Sequence, residues 1–124
     1  MKTNNLIFLV LLVVMLGCNQ DDENPQALNG TYIGIFERDG EVADVELTLD
    51  NGTYQGQGEH PKFPAICRGT YTLSGNKITF VNTCAWTANF DWTLILSGEW
   101  QFALNNKVLI MTNAAGDRYT LNRQ

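Results

Sequence analysis

Apolar residues in this chain follow two patterns. From Leu6 to Leu16 they form an unbroken run, whereas from Leu28 onward they alternate with polar residues in short stretches. Alternation with period two is the signature of a half-buried strand, and no helical period is sustained anywhere in that region. Turn signals punctuate the stretches at Asp39-Gly40, Asn51-Gly52, Gly75-Asn76, Asn105-Asn106 and the Ala114 to Gly116 loop. The first two are strong two-residue hairpin signals, because both central residues must tolerate positive φ. Together these features predict an all-β domain: a small antiparallel meander barrel of about eight strands.

Centring hairpins on the turns fixes which residues face each other. Asn51-Gly52 pairs Leu49 with Tyr54, and Gly75-Asn76 pairs Leu73 with Ile78 and Tyr71 with Phe80. The same register sets Cys67 opposite Cys84 at a non-hydrogen-bonded pair, where antiparallel strands approach most closely. That separation suits a disulfide, which wants Cα atoms about 4.4–6.8 Å apart. Asn105-Asn106 pairs Phe102 with Leu109 and Trp100 with Met111, and the next loop pairs Met111 with Tyr119 and Leu109 with Leu121. Ser97-Gly98 admits two readings. A hairpin there gives nine strands, with the last running parallel to the first. A bend within one long strand from Trp92 to Leu104 gives eight, and an antiparallel meander can then close without an exposed edge. The bend, with Gly98 as the kink, is the preferred reading.

The N-terminus changes the picture from fold to address. Lys2 heads the eleven-residue apolar run, which is too short for a spanning helix of about 20 residues and has the make-up of a secretory signal. Met15-Leu16-Gly17-Cys18 resembles the lipobox of bacterial lipoproteins, which implies cleavage after Gly17 and a lipid on Cys18. The pattern departs from the commoner one, which has Leu where Met15 stands and Ala or Ser where Leu16 stands. Asn19-Gln20-Asp21-Asp22-Glu23 resembles the acidic export signal of surface lipoproteins in Bacteroidota-type bacteria. The division that follows is a lipoprotein signal peptide over 1–17, an acidic tether over 18–26 and a barrel domain over 27–124. The implied location is the outer membrane, lipid-anchored and exposed at the cell surface.

With Cys18 assigned to lipid, Cys67 and Cys84 remain in an oxidising compartment, where they are expected to pair. The domain carries seven basic and ten acidic residues and no run of Lys or Arg. It therefore lacks the footprint of a nucleic-acid binder or of a surface that docks on anionic headgroups.

The domain as a whole resembles the small lipocalin-like barrels of Bacteroidota lipoproteins. The residues behind the likeness are Leu28-Asn29-Gly30-Thr31-Tyr32 at the start and Gly69 to Phe80 in the middle. Trp100 to Met111 and Tyr119-Thr120-Leu121 complete it. The likeness rests on barrel punctuation, so it implies a fold and leaves the activity open.

Candidate chemistry is sparse. His60, the only histidine, lies beside Glu59 in a loop with Pro61 and Pro64, where it reads as a solvated residue rather than a base or ligand. No metal site is expected, since three or four convergent ligands are needed. Ser74 and Ser97 each sit beside a glycine without a base nearby. Asp44, Glu46 and Glu99 alternate with apolar residues and fall on the wet face. Asp91, between Phe90 and Trp92, could have a raised pKa as an acid among aromatics, but reads first as an exposed strand-start residue.

The aromatics are more suggestive. Trp86, Phe90 and Trp92 follow Cys84, and Phe63 lies in the proline loop. Strand directions put both loops at one rim with the disulfide beneath. These rings, with His60, either form a binding mouth or plug the barrel end. The expected function is a non-catalytic binding role, through contact with another protein or a ligand at the rim loops. A carrier of a small apolar ligand inside the barrel is the alternative, and a hydrolase a remote one. No cofactor is implied.

Overall fold

The computed structural model describes residues 25–87 and 89–124; the signal peptide, Cys18 and the tether up to Asn24 lie outside the described residues. Strands β1 (Gly30–Arg38), β2 (Glu41–Asp50), β3 (Thr53–Gly58) and β4 (Arg68–Ser74) form one half of the sheet. Strands β5 (Lys77–Asn82), β6 (Gly98–Asn105), β7 (Val108–Thr112) and β8 (Arg118–Arg123) form the other. They follow one another in chain order, each antiparallel to the next, and β8 closes the barrel on β1, Gly34 opposite Leu121. The fold is thus the all-β, eight-stranded antiparallel meander barrel with one disulfide that the alternation predicts.

The turns obey the chemistry of their residues. Asp39 and Gly40 have φ of 51° and 85°, and Asn51 and Gly52 have 48° and 91°. Two successive positive φ values match the right-handed twist of the flanking strands. Leu49 duly faces Tyr54, Leu73 faces Ile78, and Tyr71 faces Phe80. The Cys67–Cys84 bridge has a Cα separation of 6.3 Å. Thr83 N donates to Arg68 O at 3.0 Å one step below it, so the cysteines occupy the expected non-hydrogen-bonded position.

Two expectations are corrected. The β6–β7 turn is Asn106-Lys107, not Asn105-Asn106, so Phe102 faces Met111 and Leu104 faces Leu109. Asn106 takes the positive φ, 60°, that the first turn position needs. The slip is two residues in register, so every side chain keeps its predicted face. The long strand from Trp92 is also absent. Trp92–Leu94 is a 3-10 helix, and β6 begins at Gly98, whose φ of 79° redirects the chain into the sheet. The count of eight strands nevertheless holds.

The interior is filled by rings and branched aliphatics. Tyr32, Phe36, Leu47, Phe80, Trp100, Leu109, Met111, Tyr119 and Leu121 are each no more than 3% exposed. Phe36, Tyr119 and Trp100 run together, with centroids 5.0 and 5.2 Å apart. Gly69 leaves room for the Tyr54 ring, whose edge comes within 3.0 Å of where a Cβ would stand. Both ends are closed. At one, the 3-10 helix Pro25–Leu28 inserts Leu28, whose carbonyl accepts the Tyr32 hydroxyl at 2.8 Å. At the other, Leu96 is fully buried and its carbonyl accepts the Tyr54 hydroxyl at 3.0 Å.

Candidate functional site

Four connections converge at the rim opposite Pro25: the Asp39-Gly40 turn and the loops 59–67, 83–97 and 113–117. The two long loops are tied together. Ala65 N donates to Leu94 O at 3.0 Å and Leu96 N to Ala65 O at 2.9 Å, a short parallel bridge across the barrel mouth. Pro64, Ala65, Ile66, Ile95 and Leu96 are buried beneath it, so aliphatic loop residues plug this end. Phe63 joins the plug, its ring edge-on to Phe36 at 5.5 Å.

Trp86, Phe90 and Trp92 are placed differently. They form an external ledge, with Trp86 to Phe90 at 5.7 Å and Phe90 to Trp92 at 6.1 Å. Lys62 reaches over from the neighbouring loop, its Nζ 5.4 Å above the Phe90 ring. The start of the ledge is set by Asn82. Its Nδ2 donates to Cys84 O at 2.8 Å, while its Oδ1 accepts from Cys84 N and Trp86 Nε1, both at 3.4 Å. Beside the ledge, an open cleft of about 610 Å³ runs between Val81, Ala85, Trp86, Trp92 and Ser97. Val81 and Trp92 are 55% and 54% exposed, so large apolar surfaces stand in water here. The sequence posed mouth against plug; Phe63 lies in the plug, and Trp86, Phe90 and Trp92 lie outside the core.

Asp91 is exposed as expected, but its local structure and its charge differ from expectation. It caps the short helix rather than starting a strand, its Oδ1 accepting from Thr93 N at 3.0 Å. Hydrogen bonds from Thr93 and the nearby Arg38 guanidinium hold its carboxyl below the usual value, so the suggested upward shift is reversed. Arg38 is the organiser that the sequence reading missed. Its Nε and Nη2 grip Asp117 at 2.8 and 2.7 Å, and its Nη1 reaches Asp91 at 3.1 Å. Three connections therefore share one guanidinium.

His60 is exposed in its loop, with Nε2 3.8 Å from Glu59. Among the described residues no group of three His, Cys, Asp or Glu gathers to hold a metal. Glu99 pairs with Lys77 at 3.0 Å on the outer wall, and Ser74 and Ser97 are exposed.

The class defined by this geometry is a closed eight-stranded meander barrel, plugged at both ends, with an aromatic ledge built on one rim. No family model, curated protein or solved structure matches the chain.

Proposed function

We propose that the protein is a non-catalytic binding lipoprotein of the outer-membrane surface, of the lipocalin-like kind, whose rim ledge contacts another protein. The ledge of Trp86, Phe90 and Trp92, half-buried at the first two rings and 54% exposed at Trp92, is the observation behind this reading. A protein that only needed to fold could have buried those rings, as it buries Phe36, Phe80 and Trp100 in its interior. Aromatic residues are enriched at protein contacts, where they supply large area at low entropic cost. The Cys67–Cys84 bridge and the Ala65–Ile95 pairing hold the ledge's base in advance, which lowers the ordering cost of association.

The lipobox-like Met15 to Cys18 supports the anchor, and the acidic residues after it support surface exposure. The ledge stands at the barrel end opposite Pro25, the first described residue. An anchor at Cys18 would thus join the chain at the end away from the ledge. The filled interior favours a rim partner over a cargo inside the barrel, because eight strands enclose little more than their own side chains.

Native mass spectrometry of the protein extracted gently from its own membranes tests the proposal. A co-purifying protein that is lost in the double variant Trp86→Ser/Trp92→Ser is the expected result. A bound apolar small molecule that survives this variant would replace the proposal with the carrier reading.

A further inference from the structure

Charge is segregated along the domain. Glu37, Asp39, Glu41, Asp44, Glu46, Asp50 and Glu59 are seven of its ten acids, and all fall on β1 to β3 or their connections. The one lysine or arginine between Glu37 and Glu59, Arg38, is committed to Asp117 and Asp91. These strands are neighbours in the barrel, so one wall of the molecule is acidic.

The outer face of that wall also carries exposed aliphatic side chains among its polar ones, at Ile33 and Val42. The register sets out two outward rows across β7, β8, β1 and β2. One runs Ile110, Thr120, Ile35, Asp44 and the other Val108, Asn122, Ile33, Glu46. Ile33 is 48% exposed and Val42, near the rim on β2, is 54% exposed. A cleft of about 260 Å³ lies between Ile33 and the carboxylates of Asp44, Glu46 and Glu59. Glu59 Oε1 accepts from Asp44 N at 3.0 Å, which holds that carboxylate against the cleft. Among the described residues no cation forms an ion pair with Asp44 or Glu46.

From this juxtaposition we infer that the β1–β2 face is a second docking surface, whose partner is a basic polypeptide segment that also presents aliphatic side chains. An exposed aliphatic side chain edged by three carboxylates, Asp44 and Glu46 among them without a cation, complements one side-chain type closely. A lysine or arginine lays its aliphatic stem on Ile33 and puts its charged head among Asp44, Glu46 and Glu59. Branched residues flanking it in the partner cover Ile35 and Val42. The surface is separate from the rim ledge and stands or falls apart from it.

The test uses the full-length protein in zwitterionic phosphatidylcholine nanodiscs and a short peptide of alternating lysine and valine. Controls are a lysine–serine and a glutamate–valine peptide. Binding is followed by isothermal calorimetry at low and physiological salt. The lysine–valine peptide is expected to bind more tightly than either control, and more weakly as salt rises. Asp44→Asn/Glu46→Gln should weaken it about tenfold, which falls within the combined range for two exposed ion pairs. Ile33→Thr should weaken it while preserving the salt dependence. Unchanged near-ultraviolet circular dichroism confirms that each variant is folded. Equal binding to the neutralised variant, or equal binding of the glutamate–valine peptide, overturns the inference. So does a dimer of the full chain, seen by sedimentation, that Ile33→Thr dissolves, since the occupant would then be a second copy.

Discussion

Arg38 and Asp117 stand one residue beyond the last paired step of the β1–β8 seam, Glu37 with Arg118. Their side chains meet in a two-point contact at 2.8 and 2.7 Å. Asp117 is only 2% exposed and is also held by Asn113, whose Nδ2 donates at 3.2 Å. The seam is where the two ends of the chain must find each other to close the sheet. A matched ion pair there adds register specificity to a step that backbone hydrogen bonds alone would leave free to slip.

Removing one partner should therefore cost more than an ordinary surface pair. Arg38→Met strands a desolvated carboxylate, a loss of about 3 kcal/mol at the lower end for a buried pair, because Arg38 itself is partly solvated. Urea unfolding followed by tryptophan fluorescence measures it. A loss under about 1 kcal/mol, the exposed-pair value, would show the pair to be energetically superficial.

The same contact sets an acid sensitivity. Arg38 hydrogen bonds, aided by Asn113, hold Asp117 below the usual carboxyl value despite its burial, and Asp91 is also lowered, chiefly by Thr93. A carboxyl with a depressed folded pKa contributes stability above its unfolded value of about 3.9, and that stability is lost as pH falls through the folded value. Wild-type protein should lose stability steeply on acidification below about pH 4. Arg38→Met should show a shallower acid limb, read from urea midpoints across that range. Parallel acid limbs would refute the assignment.

Faces were legible in the sequence; partners across the barrel were not. Period two survives a two-residue slip, which is why Leu109, Met111, Tyr119 and Leu121 fall on the interior although the Asn106-Lys107 turn differs from the expected one. The segment 92–97 misled because Leu94 and Leu96 share the parity of β6, yet reach the core from a 3-10 helix and a loop. Arg38 and Asp117 lie 79 residues apart, so no local pattern joins them. One signal did exist: Arg38 shares the parity of Tyr32 and Phe36, and Asp117 that of Tyr119 and Leu121. Opposite charges on the inward parity of two strands that close a barrel predict each other.

Breaking the Cys67–Cys84 bridge should act on both fold and ledge. Cross-linking residues 17 apart is worth about 3 kcal/mol in the chain-entropy model. Cys67→Ser/Cys84→Ser should lower the urea midpoint accordingly and speed amide exchange in 83–92 beyond the change in the sheet. Uniform acceleration throughout would mean that the bridge supports global stability without shaping the ledge.

All four tyrosines face the interior, and burial raises every one of them: Tyr32, Tyr71 and Tyr119 go up, and Tyr54 is pushed up to about 12. A phenol whose folded pKa lies above its unfolded value of about 10 contributes stability that is complete below pH 10 and is lost as pH climbs toward the folded value. Tyrosinate absorbance should consequently stay flat through pH 10 and then rise together with the loss of tryptophan packing, because the rings ionise only as the barrel opens. Tyr54→Phe should shift that transition upward, since it removes a group whose ionisation drives unfolding. The same variant should cost about 1 kcal/mol at neutral pH, where the hydrogen bond to Leu96 O is lost. A tyrosine that titrates near pH 10 with the tryptophan signal unchanged would place at least one phenol in solvent and contradict the packed interior.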